Sequence, residues 1–487
     1  MHRRLYRLLL IALAVVAAAG PLRAAAANLN EFGGLIEPPL DWSDYPKPAK
    51  TGKVEDELKQ PKTKAFIMKY QMYAPDKLPE RRELGLILCF HGMNGNETHV
   101  VGWVHETVKK VGLADNYVVI GLKSSGAGWA DADESYVLKT YDWLLSTYPI
   151  DKRRVFIVGH SNGSWWVTRF GGKHLDTIAG IVRYAGPGLD PAPLKEAPNV
   201  SEYYMVHGDK DDANAVDGSR TARLHLQQAH YHYVYRELTG YGHVNIVDNQ
   251  DVRADFVRWI DSLRHKQLPL AGDEDKFLRQ YAVAKKAGEL FAKPDAWNEL
   301  LRIGGPQAGA VVALALRSES ANVREMAATA CTRCLFSGDE TVDALVRLAE
   351  DKNAGVRAVA LKALGVAADW RYEAAQLELG KLALKKKGAL EERALCASGL
   401  AAAASLPLLG NLKDDTVTFQ ALVALLDDED ATLRGLAFAP LKVAVKDGLG
   451  YDPALGASDR KGPVAKWQEW FVEHGDKGDG KPRTAAK

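Results

Sequence analysis

The sequence predicts an α/β domain built on a doubly wound, mostly parallel sheet, followed by an all-α repeat domain. Three observations indicate this architecture. Up to about residue 265, short apolar runs rich in Val, Ile and Leu alternate with segments of helical periodicity, as in parallel sheets covered by helices on both faces. From about Gly304 the chain is rich in Ala and Leu, with helical periodicity and few β-formers. An arginine-centred repeat runs through that second half, and a length of 487 residues suits two or three domains.

The N-terminus is typical of a secretory signal peptide. A basic start is followed by an apolar run from Leu8 to Ala19 that is short for a membrane span, and small residues offer cleavage sites near Ala27. We therefore expect residues 1–27 to be removed on export, which leaves a secreted or periplasmic protein without an integral membrane span. An uncleaved anchor is the alternative. Residues 28–60, rich in Pro, Gly and charge, are predicted to form a leader, and a net charge of +1 gives no reason to expect a nucleic-acid partner.

The α/β domain is predicted over residues 61–265. Its strands are expected where the apolar runs lie: 65–73, 84–90, 117–122, 155–158, 177–184, 203–206 and 233–238. In open sheets of this kind ligands bind at the carboxyl ends of the strands. Candidate functional residues are therefore sought in the loops that follow them.

The most informative motif follows the strand at 155–158. There the chain continues as Gly159-His160-Ser161-Asn162-Gly163 and then into a helix-forming segment. A Gly-x-Ser-x-Gly turn between a strand and a helix is so tight that both flanking positions must lack a side chain, and it presents the serine above the sheet edge. We predict that Ser161 is a nucleophile, and we expect His160 to point away from the pocket.

A serine nucleophile needs a general base and an acid that orients the base. His243 follows a Gly-rich turn at the end of the strand predicted at 233–238, so it is assigned as the base. The acid is expected in the turn after the preceding strand, where His207 is expected to pack or bond within its turn. Three neighbouring carboxylates of that turn are candidates for the acid: Asp209, Asp211 and Asp212.

The same chemistry needs two backbone N–H groups that face the developing oxyanion. One is expected from Asn162, the residue after the nucleophile. The other is expected from the loop after an earlier central strand, where Gly92 allows close approach and Met93 is the predicted donor. Trp129 and Trp103 follow nearby loops and are predicted to form a wall for the acyl or sugar part of a substrate, with core packing as the alternative.

Several motifs together resemble the α/β-hydrolase superfamily. They are His91-Gly92, the segment 148–155 that leads into the serine turn, the His207-Gly208-x-x-Asp211 turn and Gly242-His243. The branch they most resemble is that of secreted polyhydroxybutyrate depolymerases and feruloyl esterases, with kinship to dienelactone-hydrolase-like esterases. The resemblance implies that Asp211 is the triad acid, because His-Gly-x-x-Asp carries the acid in that family. Dienelactone hydrolases use Cys where this chain has Ser161, which favours ordinary ester hydrolysis. The family often has Gly where this chain has Ser164.

The resemblance implies hydrolysis of an ester, either free or attached to a polymer, through an acyl-enzyme and without a cofactor or metal. Two alternatives stay open. One is a serine peptidase of the same fold, which the serine motif does not exclude. The other is a non-catalytic binding or scaffold protein that uses its helical repeats.

The second half is predicted to consist of a helical connector (266–303), helical repeats (304–475) and a disordered tail (476–487). Four arginines recur at intervals of 33 to 41 residues in similar surroundings: Arg324, Arg357, Arg393 and Arg434. This pattern resembles HEAT repeats, in which stacked helix pairs are tied by such a residue, and a generic Ala-rich bundle is the alternative. A protein or polymer partner is expected on the repeats, and residues 28–265 are expected to fold and act without them. The Cys331–Cys334 pair is expected to pack, with a disulfide or metal role as the alternative.

Overall fold

The computed structural model of the protein describes residues 40–42, 49–189, 194, 200–282, 284–290, 293–336, 338–405, 416–445 and 447–474. The signal peptide predicted for 1–27 and the tail predicted for 476–487 lie outside the described residues. Within the described residues, no helix combines the length and apolar character that crossing a membrane requires.

Eight strands form one sheet. They are β1 (Gly52–Lys59), β2 (Phe66–Ala74), β3 (Leu84–Phe90), β4 (Tyr117–Leu122), β5 (Ile150–His160), β6 (Gly180–Tyr184), β7 (Glu202–Gly208) and β8 (Tyr233–Leu238). Their order across the sheet is β1-β2-β4-β3-β5-β6-β7-β8. β2 runs antiparallel to both of its neighbours, and every other neighbouring pair is parallel. The predicted doubly wound, mostly parallel sheet is confirmed.

Helices cover both faces of this sheet. They are α1 (His99–Lys110), α2 (Glu134–Thr147), α3 (Asn162–Lys173), α4 (Val216–Gln228) and α5 (Gln250–Ser262). Alternate residues of the central strands face opposite sides. Ile87 packs in the apolar cluster that includes α1 and α5, whereas Leu86 packs in the cluster that includes α2, α3 and α4. β3 is buried at every position, as a central strand covered on both faces should be.

The leader predicted for 28–60 differs from the structure in its last part, because β1 lies there. Val54 and Leu58 are buried under the sheet, whereas Lys53, Glu55 and Glu57 are not. This alternation is typical of an edge strand, whose charged outer side chains discourage pairing with other chains. The charges made the segment look like a leader, and the sheet begins at Gly52.

The described residues after α5 form helices and the turns between them. These helices are α6 (Gly272–Tyr281), α7 (Ala284–Leu290), α8 (Pro294–Ile303), α9 (Gly305–Leu316), α10 (Ala321–Cys331), α11 (Asp339–Leu348), α12 (Ala354–Asp369), α13 (Glu373–Ala383), α14 (Leu390–Ser405), α15 (Thr416–Leu425), α16 (Ala431–Ala444) and α17 (Lys461–His474). From α9 onwards they stack in two layers. α10, α12, α14 and α16 follow one another in one layer, and α9, α11, α13 and α15 in the other. The predicted all-α repeat domain is confirmed.

The recurring arginine ties each repeat to the next. Arg324 Nη1 donates to the carbonyl of Ser318 at 2.7 Å, and its Nε donates to Asp351 of the following repeat at 2.7 Å. Arg357 does the same one repeat later, with the Asp351 carbonyl at 2.7 Å and the Glu392 carboxylate at 2.7 Å. In both repeats the guanidinium thus bonds the turn before its own helix and a carboxylate beyond it, which explains why this residue repeats.

The two domains are joined by buried polar contacts. Arg236 of β8 is fully buried, and its Nη2 bonds Asp255 of α5 at 2.8 Å and Asp369 of α12 at 3.2 Å. Arg153 of β5 bonds Glu274 of α6 at 3.1 Å. One continuous apolar cluster also extends from α5 into the repeats. This joint opposes the expectation that residues 28–265 form an independent unit. The polar connector suggested a boundary, but its acidic groups pair with arginines of the sheet domain.

The described cysteines are all free thiols. Burial raises the pKa of both Cys331 and Cys334, which keeps them protonated. Cys334 Sγ lies 3.8 Å from the carbonyl of Ser262, so this thiol packs at the joint between the domains.

Candidate active site

The serine turn has the strained geometry that its sequence predicts. Ser161 lies between β5 and α3 with φ of 57° and ψ of −119°, a conformation that costs energy in a residue other than glycine. A Cβ on Gly159 would lie 2.2 Å from the carbonyl oxygen of Gly163, and one on Gly163 would lie 2.1 Å from that of Phe90. Both positions therefore require glycine, and the turn holds the Ser161 side chain out beyond the strand end.

Three distant segments meet at this serine. His243 Nε2 lies 2.8 Å from Ser161 Oγ, and His243 Nδ1 lies 2.9 Å from Asp211 Oδ2. Ser161 follows β5, Asp211 follows β7 and His243 follows β8, so each lies at the carboxyl end of its strand. The structure brings together the three residues that the sequence assigned to a triad.

Geometry also separates the three candidate acids. Asp211 Oδ1 accepts hydrogen bonds from the backbone N–H groups of Ala213 at 3.0 Å and Asn214 at 2.8 Å. Burial alone would raise the Asp211 pKa, but the hydrogen bonds from Asn214 and His243 outweigh it and lower that pKa. Asp209 instead accepts from Gly240 N at 2.6 Å, and Asp212 is exposed. Only Asp211 of the three contacts the imidazole.

His207 does more than pack within its turn. It is buried, with Nδ1 2.7 Å from Ser219 Oγ, and Nε2 2.9 Å from the Asn214 carbonyl and 3.1 Å from Asp211 Oδ2. Burial lowers its pKa and favours the neutral ring. With Nδ1 accepting from the serine hydroxyl, the Nε2–H group donates to the Asn214 carbonyl and lies beside Asp211. Asp211 therefore has two imidazole neighbours, His243 and His207. The sequence indicated the second neighbour by the position of His207 in the His-Gly-x-x-Asp turn.

His160 supports His243 from the other side. Its Nε2 lies 2.8 Å from the carbonyl oxygen of His243, and burial lowers its pKa to about 4. A neutral His160 can donate to that carbonyl and hold the backbone of the loop that carries the imidazole. The two imidazole rings lie side by side, with centroids 5.1 Å apart.

The loop predicted to supply an oxyanion donor lies against the serine. A Cβ on Gly92 would be 3.1 Å from Ser161 Cβ. Asn162 is the first residue of α3, where backbone N–H groups lack helical partners. Neither the Met93 nor the Asn162 N–H donates to a protein acceptor among the described residues. Both groups are thus available to a ligand at Ser161.

The two predicted tryptophans do not form an exposed wall, which corrects the sequence expectation. Trp103 is 8% exposed and packs on Tyr184 and Phe256, with ring centroids 5.0 Å and 5.9 Å away. Trp129 is 3% exposed, and its indole Nε1 donates to the His91 carbonyl at 3.1 Å. Both rings lie in the core because their elements turn the apolar side chain inward, so the alternative of core packing applies.

The exposed apolar side chains at this site are different ones. Met93 is 57% exposed beside the loop glycine, and Val244 is 71% exposed directly after the imidazole residue. Within the described parts of the chain, no group of three or more His, Cys, Asp or Glu is arranged to hold a metal ion.

Parts of the chain are similar to known proteins. A family profile of HEAT repeats matches residues 309–401. NocK of Nocardia uniformis subsp. tsuyamanensis, whose name assigns it as an esterase, is 27% identical over 177 residues, which is 33% of this chain. The match spans 49% of NocK, so the chain covers about half the length of this relative.

Three of the solved structures that resemble part of the chain carry esterase or serine-hydrolase names, and another is named a dipeptidyl aminopeptidase IV, from Bacteroides ovatus. A thermostable esterase has a TM-score of 0.36 at 18% identity, over 44% of this chain and 63% of that one. FphF, a fluorophosphonate-binding serine hydrolase of Staphylococcus aureus, has a TM-score of 0.35 at 13% identity, over 44% and 99%. Est1E from Butyrivibrio proteoclasticus has a TM-score of 0.34 at 13% identity, over 43% and 99%. The strand order, the serine turn and the chain order Ser161, Asp211, His243 are those of the α/β-hydrolase fold.

Proposed function

We propose that the protein is an exported serine hydrolase that cleaves carboxylic esters through a Ser161–His243–Asp211 triad and an acyl-enzyme. The observation that carries this proposal is the unbroken chain of hydrogen bonds from Ser161 Oγ to Asp211, with links of 2.8 Å and 2.9 Å. It begins on the strained turn between β5 and α3, where the hydroxyl is presented to solvent.

The geometry supports the following steps. His243 donates Nδ1–H to Asp211, which leaves Nε2 free to take the Ser161 proton as Oγ attacks the ester carbonyl carbon. The tetrahedral oxyanion is stabilised by the Met93 and Asn162 N–H groups. It collapses when the bond to the leaving alcohol breaks, and the proton on His243 passes to that alcohol. Water then attacks the acyl group by the same route and releases the acid and Ser161.

An apolar rim supports an ester rather than a charged substrate. Met93 follows Gly92 and Val244 follows His243, and these exposed side chains offer contacts to an acyl chain or an apolar alcohol. The assignment of NocK as an esterase agrees with this choice, although it concerns a relative matched over half its length.

The proposal extends to location and partners. The signal peptide predicted for 1–27 supports secretion to the periplasm or the medium. The stacked repeats offer a long surface that suits a protein or a polymer bearing the ester. Sequencing the N-terminus of the exported protein tests the first point, since export with cleavage predicts a start near residue 28.

The function is tested by activity on two substrate classes. Purified enzyme should hydrolyse p-nitrophenyl acetate and leave a chromogenic peptide intact. Ser161→Ala should reduce ester turnover by on the order of 10⁶-fold. Ser164→Ala is the matched control, because it removes a buried hydroxyl on the same helix that has no partner among the described residues.

Each alternative has its own outcome. Cleavage of the peptide in preference to the ester would identify a peptidase. A wild-type protein inert to both substrates would favour a binding or scaffold role. Retention of more than a few per cent of ester turnover in Ser161→Ala would mean that another residue is the nucleophile. Asp211→Asn should lower turnover more than Asp212→Asn, whose carboxylate is exposed to solvent.

A further inference from the structure

We propose that Trp129 is a positioning residue for the oxyanion hole. It fixes the two loops that carry or support the oxyanion donors: the donor loop (residues 91–95) and the bracing loop (residues 124–129). This inference rests on the proposed function. It gives Trp129 a role that differs from the substrate wall expected from the sequence.

Trp129 bonds to both sides of the oxyanion hole. Its backbone N–H donates to Asn162 Oδ1 at 2.6 Å, and Asn162 carries one of the proposed donors. Its indole Nε1–H donates to the carbonyl of His91 at 3.1 Å, at the start of the donor loop. One residue therefore connects the helix that follows the nucleophile to the loop that carries the second donor.

Further bonds join the bracing loop to the donor loop. Asn94 N donates to the carbonyl of Ala127 at 2.6 Å, and Ser124 N donates to His91 Nε2 at 3.1 Å. Because that ring nitrogen accepts, the other one carries the proton, and His91 Nδ1 donates to the Gly92 carbonyl at 2.7 Å. Burial lowers the His91 pKa, which favours the neutral ring that this arrangement needs.

Close packing leaves the loops little freedom. A Cβ on Gly128 would lie 2.6 Å from Asn162 Oδ1 and 2.9 Å from Met93 Sδ, so the bracing loop touches both proposed donor residues. The Trp129 ring is enclosed by Phe90 and Trp166, with ring centroids 4.9 Å and 5.8 Å away. The ring is thereby locked in the orientation that directs its N–H group at the His91 carbonyl.

This arrangement makes the donor positions depend on Trp129. Oxyanion donors act through short, aligned bonds that exist only when the tetrahedral intermediate forms. A shift of about 1 Å in catalytic geometry can cost about 100-fold in rate. Loosening the bracing loop should therefore weaken the stabilisation of the transition state and leave the binding of the substrate ground state nearly intact.

Trp129→Phe tests the inference, because it keeps an aromatic ring and removes the indole N–H. We expect kcat on p-nitrophenyl acetate to fall about 10- to 100-fold with KM changed less than about twofold. Trp259→Phe is the matched control: it makes the same substitution at a buried tryptophan of α5 that packs on Tyr204, away from the oxyanion loops, and its indole nitrogen has no partner among the described residues. It should retain kcat within about twofold.

A trifluoromethyl ketone provides a second readout. Ser161 Oγ adds to the ketone carbon, the carbonyl electron pair moves to oxygen as the oxyanion, and His243 takes the serine proton. The inhibition constant of the ketone should be higher for Trp129→Phe than for the wild type, by about the factor by which kcat/KM falls. A variant with only a packing defect would have a lower melting temperature, but its inhibition constant and its kcat/KM would not change in parallel.

Asn162→Ala keeps the test decisive if Trp129→Phe fails to fold. It removes the acceptor of the Trp129 backbone N–H and should also lower kcat more than it changes KM. The double variant should lose less than the product of the two single effects, because both changes release the same loop.

The outcomes separate this inference from the proposed function. If the wild type hydrolyses the ester and Trp129→Phe has the same kcat, whether or not its KM is raised, the positioning role is wrong. The assignment as a hydrolase then stands. A wild-type protein that lacks turnover but binds the ketone would contradict the esterase assignment, and the ketone affinity of Trp129→Phe would then decide the inference. If the wild-type protein neither hydrolyses the ester nor binds the ketone, both the proposed function and the positioning role are wrong.

Discussion

Asp369→Ala tests whether the sheet domain and the repeats form one stable unit. Asp369 ends α12 in the repeats, and its carboxylate lies 3.2 Å from Arg236 Nη2 of β8. The same guanidinium nitrogen donates to Asp255 at 2.8 Å and to the Asp369 carbonyl at 3.2 Å. The substitution removes one of two carboxylates that neutralise a fully buried charge.

The cost can be estimated from these contacts. A hydrogen bond to a charged group contributes about 1.5–3 kcal/mol, and removing one partner of a buried ion pair costs about 3–5 kcal/mol. Two observations reduce this figure. Arg236 keeps Asp255, and the Asp369 side chain is 26% exposed. In addition, burial and the nearby Asp255 raise the Asp369 pKa, so mutual repulsion offsets part of the attraction. We expect a loss of about 1–2 kcal/mol, which lowers the melting temperature of a single unit of this size by about 1–2 °C.

The assay follows thermal unfolding and the thermal inactivation of ester hydrolysis in parallel. Both should shift downward together, although Asp369 lies in the repeats. Asp343→Ala is the control, because this carboxylate is exposed on α11, and exposed substitutions change stability by less than about 0.5 kcal/mol. If Asp369→Ala unfolds at the same temperature as Asp343→Ala, or only the repeats are destabilised, the two domains are not coupled and our interpretation of the joint is wrong.

Two further predictions concern the joint and the site. A chain that ends at residue 265 should be insoluble or inactive, because it exposes the apolar face of α5 and removes the Glu274 partner of Arg153; a soluble chain with full kcat/KM would contradict this. Stability should also depend on pH through His160, whose pKa burial lowers from 6.5 to about 4. The neutral His160 contributes fully to the free energy of unfolding above pH 6.5, and this contribution is lost as the pH falls towards 4, because His160 is protonated first in the unfolded chain. The expected loss in the free energy of unfolding is up to about 3 kcal/mol. Melting temperatures between pH 8 and 4.5 measure it, and His160→Asn should flatten the decline; an equal decline in that variant would exclude His160 as the cause.

The serine turn could be predicted because its geometry requires glycine at two fixed positions around the serine. Gly159 and Gly163 are required by backbone atoms a few residues away or on the adjacent strand, and such contacts leave a short, specific motif. The parallel sheet was likewise visible as apolar runs, and the repeats as a recurring Arg324-type residue that serves the turn directly before it. In each case the physical constraint leaves a recognisable pattern of residues in the sequence.

The remaining features depend on segments that meet only in the folded chain. Which of three neighbouring carboxylates bonds His243 is set by the path of the turn after β7, and the side chain of Trp129 faces inward because two loops close over it. β1 looked like a leader because its charges face solvent, and Glu274 looked like part of a polar boundary because its partner, Arg153, lies 121 residues away in sequence. Composition records that a residue is polar or apolar, but only the tertiary structure decides which partner it meets, because that choice depends on the relative placement of elements that share no local pattern.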